Sequence, residues 1–256
     1  MKSNIVKIAI IGSGNVAYHL AKALQQTEQN VVQIFGRNQD VLISISKELD
    51  IPVSTNKLAD ADLYIISVSD SSVEEVSKII KNPNAIVAHT SGSLPKEILK
   101  GDYKKASFYP LQTFSKSKNL DYAEIPFFIE AEDKDVEAIL TEVASEISRH
   151  VEVADFEKRK YIHLTAVFAC NFVNHLFARA KEISDSQQIS FDYFMPLIEE
   201  TFDKIKSVTP KDAQTGPAVR NDRRILEAHK ELIKNPEQSA IYEVINASIQ
   251  KMYNLD

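Results

Sequence analysis

Along the first 150 residues, short apolar runs alternate with amphipathic stretches. Residues 7–11, Lys-Ile-Ala-Ile-Ile, are a strand-length apolar run, and apolar positions then recur at helical spacing over 15–28. A β-branched run at 31–35 precedes a helical pattern at 40–49, and buried-strand runs follow at 63–67 and 85–89. Between them, Ser71/Glu74 and Ser72/Glu75 have capping-box spacing for a helix reaching residue 80. Such alternation predicts a parallel sheet with helices on both faces. From about residue 105 the pattern shifts to strands at 108–114, 125–131 and 150–153, with a helix at 133–148. Strand signals stop after Asp155, and helical periodicity covers 156–181, 191–208, 222–234 and 236–253. Asn235-Pro236 opens the last of these, Asn as the cap and Pro at the first helical position. The expected fold class is α/β: a mostly parallel sheet over 1–154, followed by a second, all-helical domain over 155–256.

The turn after the first strand carries the clearest chemistry. The chain has six glycines in 256 residues, and two of them form Gly12-Ser13-Gly14-Asn15-Val16-Ala17, a G-x-G-x-x-A pattern. The pattern ends an apolar strand and opens an amphipathic helix, the context in which it binds a dinucleotide. Gly12 permits the tight turn, Gly14 the approach of a pyrophosphate, and Ala17 close helix–strand packing, while free amides at the helix start face the anion. The expected domain is therefore Rossmann-like.

After the second strand the chain reads Phe35-Gly36-Arg37-Asn38, with no acid until Asp40. An acid there would hold the ribose 2′-hydroxyl of NAD, whereas an Arg suits the 2′-phosphate of NADP. NADP is the expected cofactor. Ligands of such folds lie beyond the carboxyl ends of the strands, so Ser67, Val68, Ser69, His89 and Ser91 complete the expected cofactor site. Helix capping is an equal use for the serines, and a structural role for His89.

Composition narrows the partners. Thirty basic and thirty-six acidic residues give a net charge of −6, without a basic block, which argues against nucleic acid. The apolar stretch near the N-terminus ends at Gly12, too short for a signal-peptide core, and no run spans a membrane. The one cysteine, Cys170, lies in an apolar run and is expected to be a buried small hydrophobe in a reducing compartment. A cytoplasmic protein acting on a small molecule is expected.

In the helical half, His163, Val167, Asn171 and Asn174 share one face. His163 is a candidate proton donor and Asn171 a candidate substrate-orienting group; an interhelical hydrogen-bond layer or dimer contact is the other use of this face. Between two helices, Thr215-Gly216-Pro217-Ala218-Val219-Arg220-Asn221-Asp222 brings together a hydroxyl, a cation and a carboxylate. Thr215 and Arg220 are candidates for binding a substrate anion, or the segment is a capping loop with an Arg–Asp pair.

Together with His89-Thr90-Ser91-Gly92-Ser93-Leu94-Pro95 and Tyr109-Pro110-Leu111-Gln112-Thr113-Phe114, these motifs resemble a bacterial family that joins a Rossmann-like NADP-binding domain to a helical C-terminal domain of unknown function. The N-terminal half is also similar to pyrroline-5-carboxylate reductase and β-hydroxyacid-type dehydrogenases. The resemblance spans the whole chain and implies an oxidoreductase that dimerises through its helical domain. Tyr109 stands where the family pattern has His before Pro-Leu-Gln. His163 and Asn171, with Lys160 one turn earlier, occupy the helix that carries Lys and Asn in β-hydroxyacid dehydrogenases. The expected activity is NADP-dependent hydride transfer to or from a small carbonyl, imine or hydroxy acid. The alternative is a non-catalytic dinucleotide sensor or dimeric scaffold that kept the cofactor turn.

Overall fold

Helices cover both faces of one eight-stranded sheet in the computed structural model, which describes residues 6–255. Residues 1–5, at the start of the stretch read above for a signal peptide, lie outside the described residues. The sheet unit runs β1 (Lys7–Ile11), α1 (Asn15–Leu24), β2 (Asn30–Phe35), α2 (Gln39–Leu49), β3 (Val53–Ser54), β4 (Leu63–Ile66), α3 (Asp70–Ser77), β5 (Ile86–His89), β6 (Lys104–Pro110), β7 (Phe127–Ala131), α4 (Lys134–Ser145) and β8 (Val151–Val153). Strand order is β3-β2-β1-β4-β5-β6-β7-β8, parallel throughout except where β7 meets β6. The first six strands thus have the 3-2-1-4-5-6 order of a dinucleotide-binding sheet, which reverses direction between β1 and β4.

The central strands are apolar at every position because both faces are covered. Ile8 and Ile10 of β1 pack with Ile34, Leu63 and Ile65 under α1, α2 and α4, while Ala9 and Ile11 pack with Tyr64, Ile66 and Val87 under α3. Three local expectations shift. The strand read at 108–114 is β6, because pairing with β5 draws its start back to Lys104 and Lys105, which carry no apolar signal. After Pro110 the chain leaves the sheet. Helix α3 begins at Asp70 behind Ser69, so the Ser71 and Ser72 capping boxes fall inside its first turn. At two residues, β3 is too short to leave a periodic trace.

By contacts the chain divides into two compact units, residues 1–171 and 172–256. The change of pattern at 154/155 marks where strands end. The helix that follows, α5 (Phe156–Ala166), stays with the sheet unit. The long helix read at 156–181 is α5, a π-helical segment Val167–Phe172 and α6 (Val173–Ser186). Cys170 lies in the π-helical segment and is exposed, not buried; its apolar neighbours Phe168 and Phe172 are exposed as well. Periodicity there reports an apolar face, and those side chains are exposed.

The second unit continues through α7 (Met195–Lys204), α8 (Pro210–Ala213), α9 (Arg223–Leu232) and α10 (Pro236–Met252). The Asn235 side chain caps α10, accepting from the amides of Glu237 and Gln238 as its sequence predicts.

Candidate functional site

The order in which strands are added reverses between β1 and β4, and there the chain makes a close turn at Gly12. Gly12 has φ +135°, and a Cβ there would sit 2.1 Å from the Ser67 carbonyl oxygen at the end of β4. A side chain is excluded twice over, by conformation and by contact. Gly14, the residue before α1, has open space where a Cβ would be. Helix α1 starts with no side-chain cap and no acid in its first turn, so its first amides remain available to an anion.

Around this turn lies a cavity of about 920 Å³. It is lined by Gly12, Ser13, Gly14, Asn15 and Val16 from the turn, Arg37 and Asn38 beyond β2, and Ser67, Val68 and Ser69 beyond β4. Ten of the twelve sequence candidates for cofactor binding are thereby brought together. Asn38 has a second task, since its side chain caps α2 by accepting from the Val41 amide at 3.1 Å. Arg37 is exposed and has no ion pair among the described residues. The donor set fits a dinucleotide phosphate: uncapped amides, an open glycine and a free guanidinium, with Glu75 the one carboxylate in the lining.

His89 and Ser91 do not line the cavity. His89 is 0% exposed, and its Nδ1 accepts from the Ser91 amide at 3.2 Å. Burial, with the Arg159 cation adding to it, lowers its pKa to about 4 and keeps the ring neutral. Thr90, between the two, reaches the cavity instead.

A second cavity of about 990 Å³ adjoins the first, with Gln112 and Phe114 lining both. His163 and Asn171 line it together, with Tyr109, Tyr161 and Lys158. The Tyr109 hydroxyl lies 3.0 Å from His163 Nδ1. Burial pushes the Tyr109 phenol up to about 12, against an opposing pull from Arg159, so the hydroxyl keeps its proton. In the tautomer where that hydroxyl donates to Nδ1, the ring proton of the imidazole sits on Nε2, facing away from Tyr109. Tyr109 and Gln112 were legible in the sequence as motif residues without a site role; Tyr109 gains one through a contact between residues 54 apart, and Gln112 by lining both cavities.

The position of His163 is over-determined. A Cβ on Gly92 would come within 2.8 Å of the His163 Cβ, Cγ and Nδ1, so glycine makes room for the imidazole. One turn earlier on α5, Arg159 is 0% exposed and donates to Glu130 Oε2 of β7 at 2.5 Å and to the Leu94 carbonyl at 2.6 Å. Lys96 adds a second bond to Glu130 at 2.8 Å. A buried ion pair is poor value as stabilisation, but it fixes geometry, here α5 against the loop that carries Gly92.

Thr215 and Arg220 belong to the second unit and are not among the residues lining either cavity. Both are exposed. Gly216 has φ +108°, and Asp222 caps α9 by accepting from the Ile225 amide, which is the capping use of that loop. Arg220 has no ion pair among the described residues. Also among them, no group of His, Cys, Asp or Glu is arranged to hold a metal, and no helix is long and apolar enough to cross a membrane.

Strand order, the Gly12 turn and its cavity define a Rossmann-type nucleotide-binding fold, with a helical C-terminal region. Residues 7–90 match the family model described as NADP oxidoreductase coenzyme F420-dependent, and residues 125–249 the one described as a domain of unknown function (DUF2520). A Bacteroides fragilis structure, described as a candidate NADP oxidoreductase, is 38% identical over 96% of this chain and 98% of that one, with TM-score 0.91. The chain belongs to the family of that protein. A Thermotoga maritima structure is 23% identical over 96% of this chain and 99% of that one, with TM-score 0.81. A 1-pyrroline-5-carboxylate reductase from Streptococcus pyogenes is 15% identical over 99% of this chain and 100% of that one, with TM-score 0.63. These last two share the fold. No curated protein matches the chain.

Proposed function

We propose that the protein is an NADP-dependent reductase or dehydrogenase acting on a small carbonyl, imine or hydroxy-acid substrate in the cavity beside His163. The observation that carries this reading is the Tyr109–His163 hydrogen bond in a cavity that shares Gln112 and Phe114 with the dinucleotide cavity. Gly12, Gly14 and the start of α1 hold the pyrophosphate, and Arg37 the 2′-phosphate. Bound there, reduced nicotinamide supplies a hydride to the electrophilic carbon of the substrate. His163 releases the Nε2 proton to the carbonyl oxygen or imine nitrogen as negative charge builds there, and solvent restores it. Tyr109 holds the ring in the tautomer that can do so, and Asn171 orients the substrate. In the hydroxy-acid direction the same groups run in reverse, with His163 accepting the proton.

The test is consumption of NADPH against a panel of cyclic imines, keto acids and aldehydes. His163→Ala is expected to lower kcat by roughly 100-fold or more, the usual worth of a positioned acid, and Tyr109→Phe by less. Activity untouched by His163→Ala removes the proton-donor assignment. If the panel gives no turnover while NADPH binds, the non-catalytic sensor reading takes its place.

The active form is a homodimer through the helical unit. Support comes from apolar side chains that the unit leaves exposed, Tyr193 at 78% and Leu197 at 65% among them.

A further inference from the structure

Between β6 and β7 the chain leaves the sheet and lies against α1, the helix that opens at the phosphate turn. Three sets of bonds hold it there. Asn15 Nδ2 donates to the Phe114 carbonyl at 2.9 Å. His19, 1% exposed, donates from Nε2 to the Ser115 carbonyl and accepts at Nδ1 from the Tyr122 hydroxyl, both at 2.9 Å. Lys116 Nζ donates to the Ser13 carbonyl, again at 2.9 Å, inside the G-x-G turn itself.

Lys116 is the unusual member. It is half-buried, and burial pulls its ammonium below the ordinary lysine value against an opposing effect of Glu48. Yet no carboxylate pairs with it among the described residues; its neighbours are the Ser13 oxygen and, at 5.8 Å, the centre of the Tyr18 ring. A lysine kept partly from water with no direct ion pair has a desolvation cost that the charge of Glu48 only partly offsets. Its one strong bond falls on a peptide of the turn. That peptide is trans, as are all peptide bonds among the described residues, so its carbonyl and amide point in opposite directions. With the Ser13 oxygen held by Lys116, the Gly14 amide is turned away from the lysine, and Gly14 lines the dinucleotide cavity.

We propose that Lys116 is a positioning residue for the dinucleotide pyrophosphate: it fixes the Ser13–Gly14 peptide with its amide toward the anion and adds positive charge to the start of α1. This assigns the β6–β7 connection to the cofactor site, and it rests on the dinucleotide reading of the cavity. The same connection carries Gln112 and Phe114, so one loop spans the cofactor turn and the wall of the second cavity.

The experiment compares wild type, Lys116→Gln and Lys116→Arg by titration with NADPH, ADP-ribose and 2′-AMP. The first two ligands carry the pyrophosphate; 2′-AMP carries adenosine and the 2′-phosphate alone. Lys116→Gln is expected to weaken NADPH and ADP-ribose about 10-fold, the scale of one hydrogen bond to a charged group, and to leave 2′-AMP unchanged. Lys116→Arg, which keeps charge and donors, restores most of the loss. The proposal is overturned if Lys116→Gln binds NADPH like wild type. It is equally overturned if all three ligands weaken together, which marks a structural effect of the loop. Wild-type protein that binds neither NADPH nor NADH removes the dinucleotide reading itself, and this assignment with it.

Discussion

The two units bury their apolar residues to very different degrees. In the sheet unit, Phe108, Leu63 and Ile65 are fully buried, and the core continues on both faces of the sheet. Among the described residues from 172 onward, only Ser184 and Ala218 are buried. The helices there carry as clear an apolar pattern as the strands do. Leu176, Phe177, Ile183, Phe191, Phe194 and Leu197 surround an open apolar groove of about 470 Å³ that none of the described residues fills. A sheet covered on both faces closes its own core; the helices from 172 onward leave apolar side chains exposed, the surface that the proposed homodimer would use.

The sharpest way to break this contrast is inside the sheet unit. Arg159→Met leaves Glu130 buried without its main partner and is expected to cost about 3–5 kcal/mol, read by urea denaturation. Replacing both, as Arg159→Met with Glu130→Leu, should recover much of that loss while still loosening His163. If Arg159→Met is neutral, the clamp does not organise α5.

Acid provides a second test of the same unit. The unfolded chain takes up the His89 proton below about 6.5, the folded chain only below about 4, so stability is full above that window and falls as the pH drops through it. The drop from this group amounts to about 3 kcal/mol across the window. His89→Gln should flatten the pH 6.5–4 part of the stability curve; an unchanged slope would assign the acid sensitivity elsewhere.

A smaller effect is expected in the helical unit. Leu197→Asp should weaken self-association by about 10- to 100-fold, or about 1.4–2.8 kcal/mol, while the sheet unit keeps its melting temperature. Light scattering on size-fractionated protein reads the first and calorimetry the second. A monomeric wild type contradicts the account of the groove.

What the sequence disclosed follows from the range of each interaction. The Gly12 turn, Arg37 and the strand ends were legible because a local motif and an alternating pattern determine them. Domain class was legible for the same reason. His89 was open between a cofactor contact and a structural role because a strand-end position does not tell which face the side chain takes; the fold turns it inward. Cys170 was expected to be buried because periodicity records an apolar face, not what covers it. Gly92 was noticed as a glycine, but its purpose, room for the His163 ring, depends on a helix 71 positions further along. The Tyr109–His163, Arg159–Glu130 and Lys116–Ser13 contacts join distant segments, and no spacing rule announces them.

The central claim is that the Gly12 turn and Arg37 bind NADP(H) in preference to NAD(H). The direct measurement is a fluorescence titration of wild-type protein and Arg37→Glu with NADPH and with NADH. Wild type should bind NADPH about 10- to 100-fold more tightly than NADH, the worth of a charge-assisted contact to the 2′-phosphate, and Arg37→Glu should abolish or reverse that preference. Equal affinity for the two cofactors in wild type, or a preference for NADPH that survives Arg37→Glu, would contradict it.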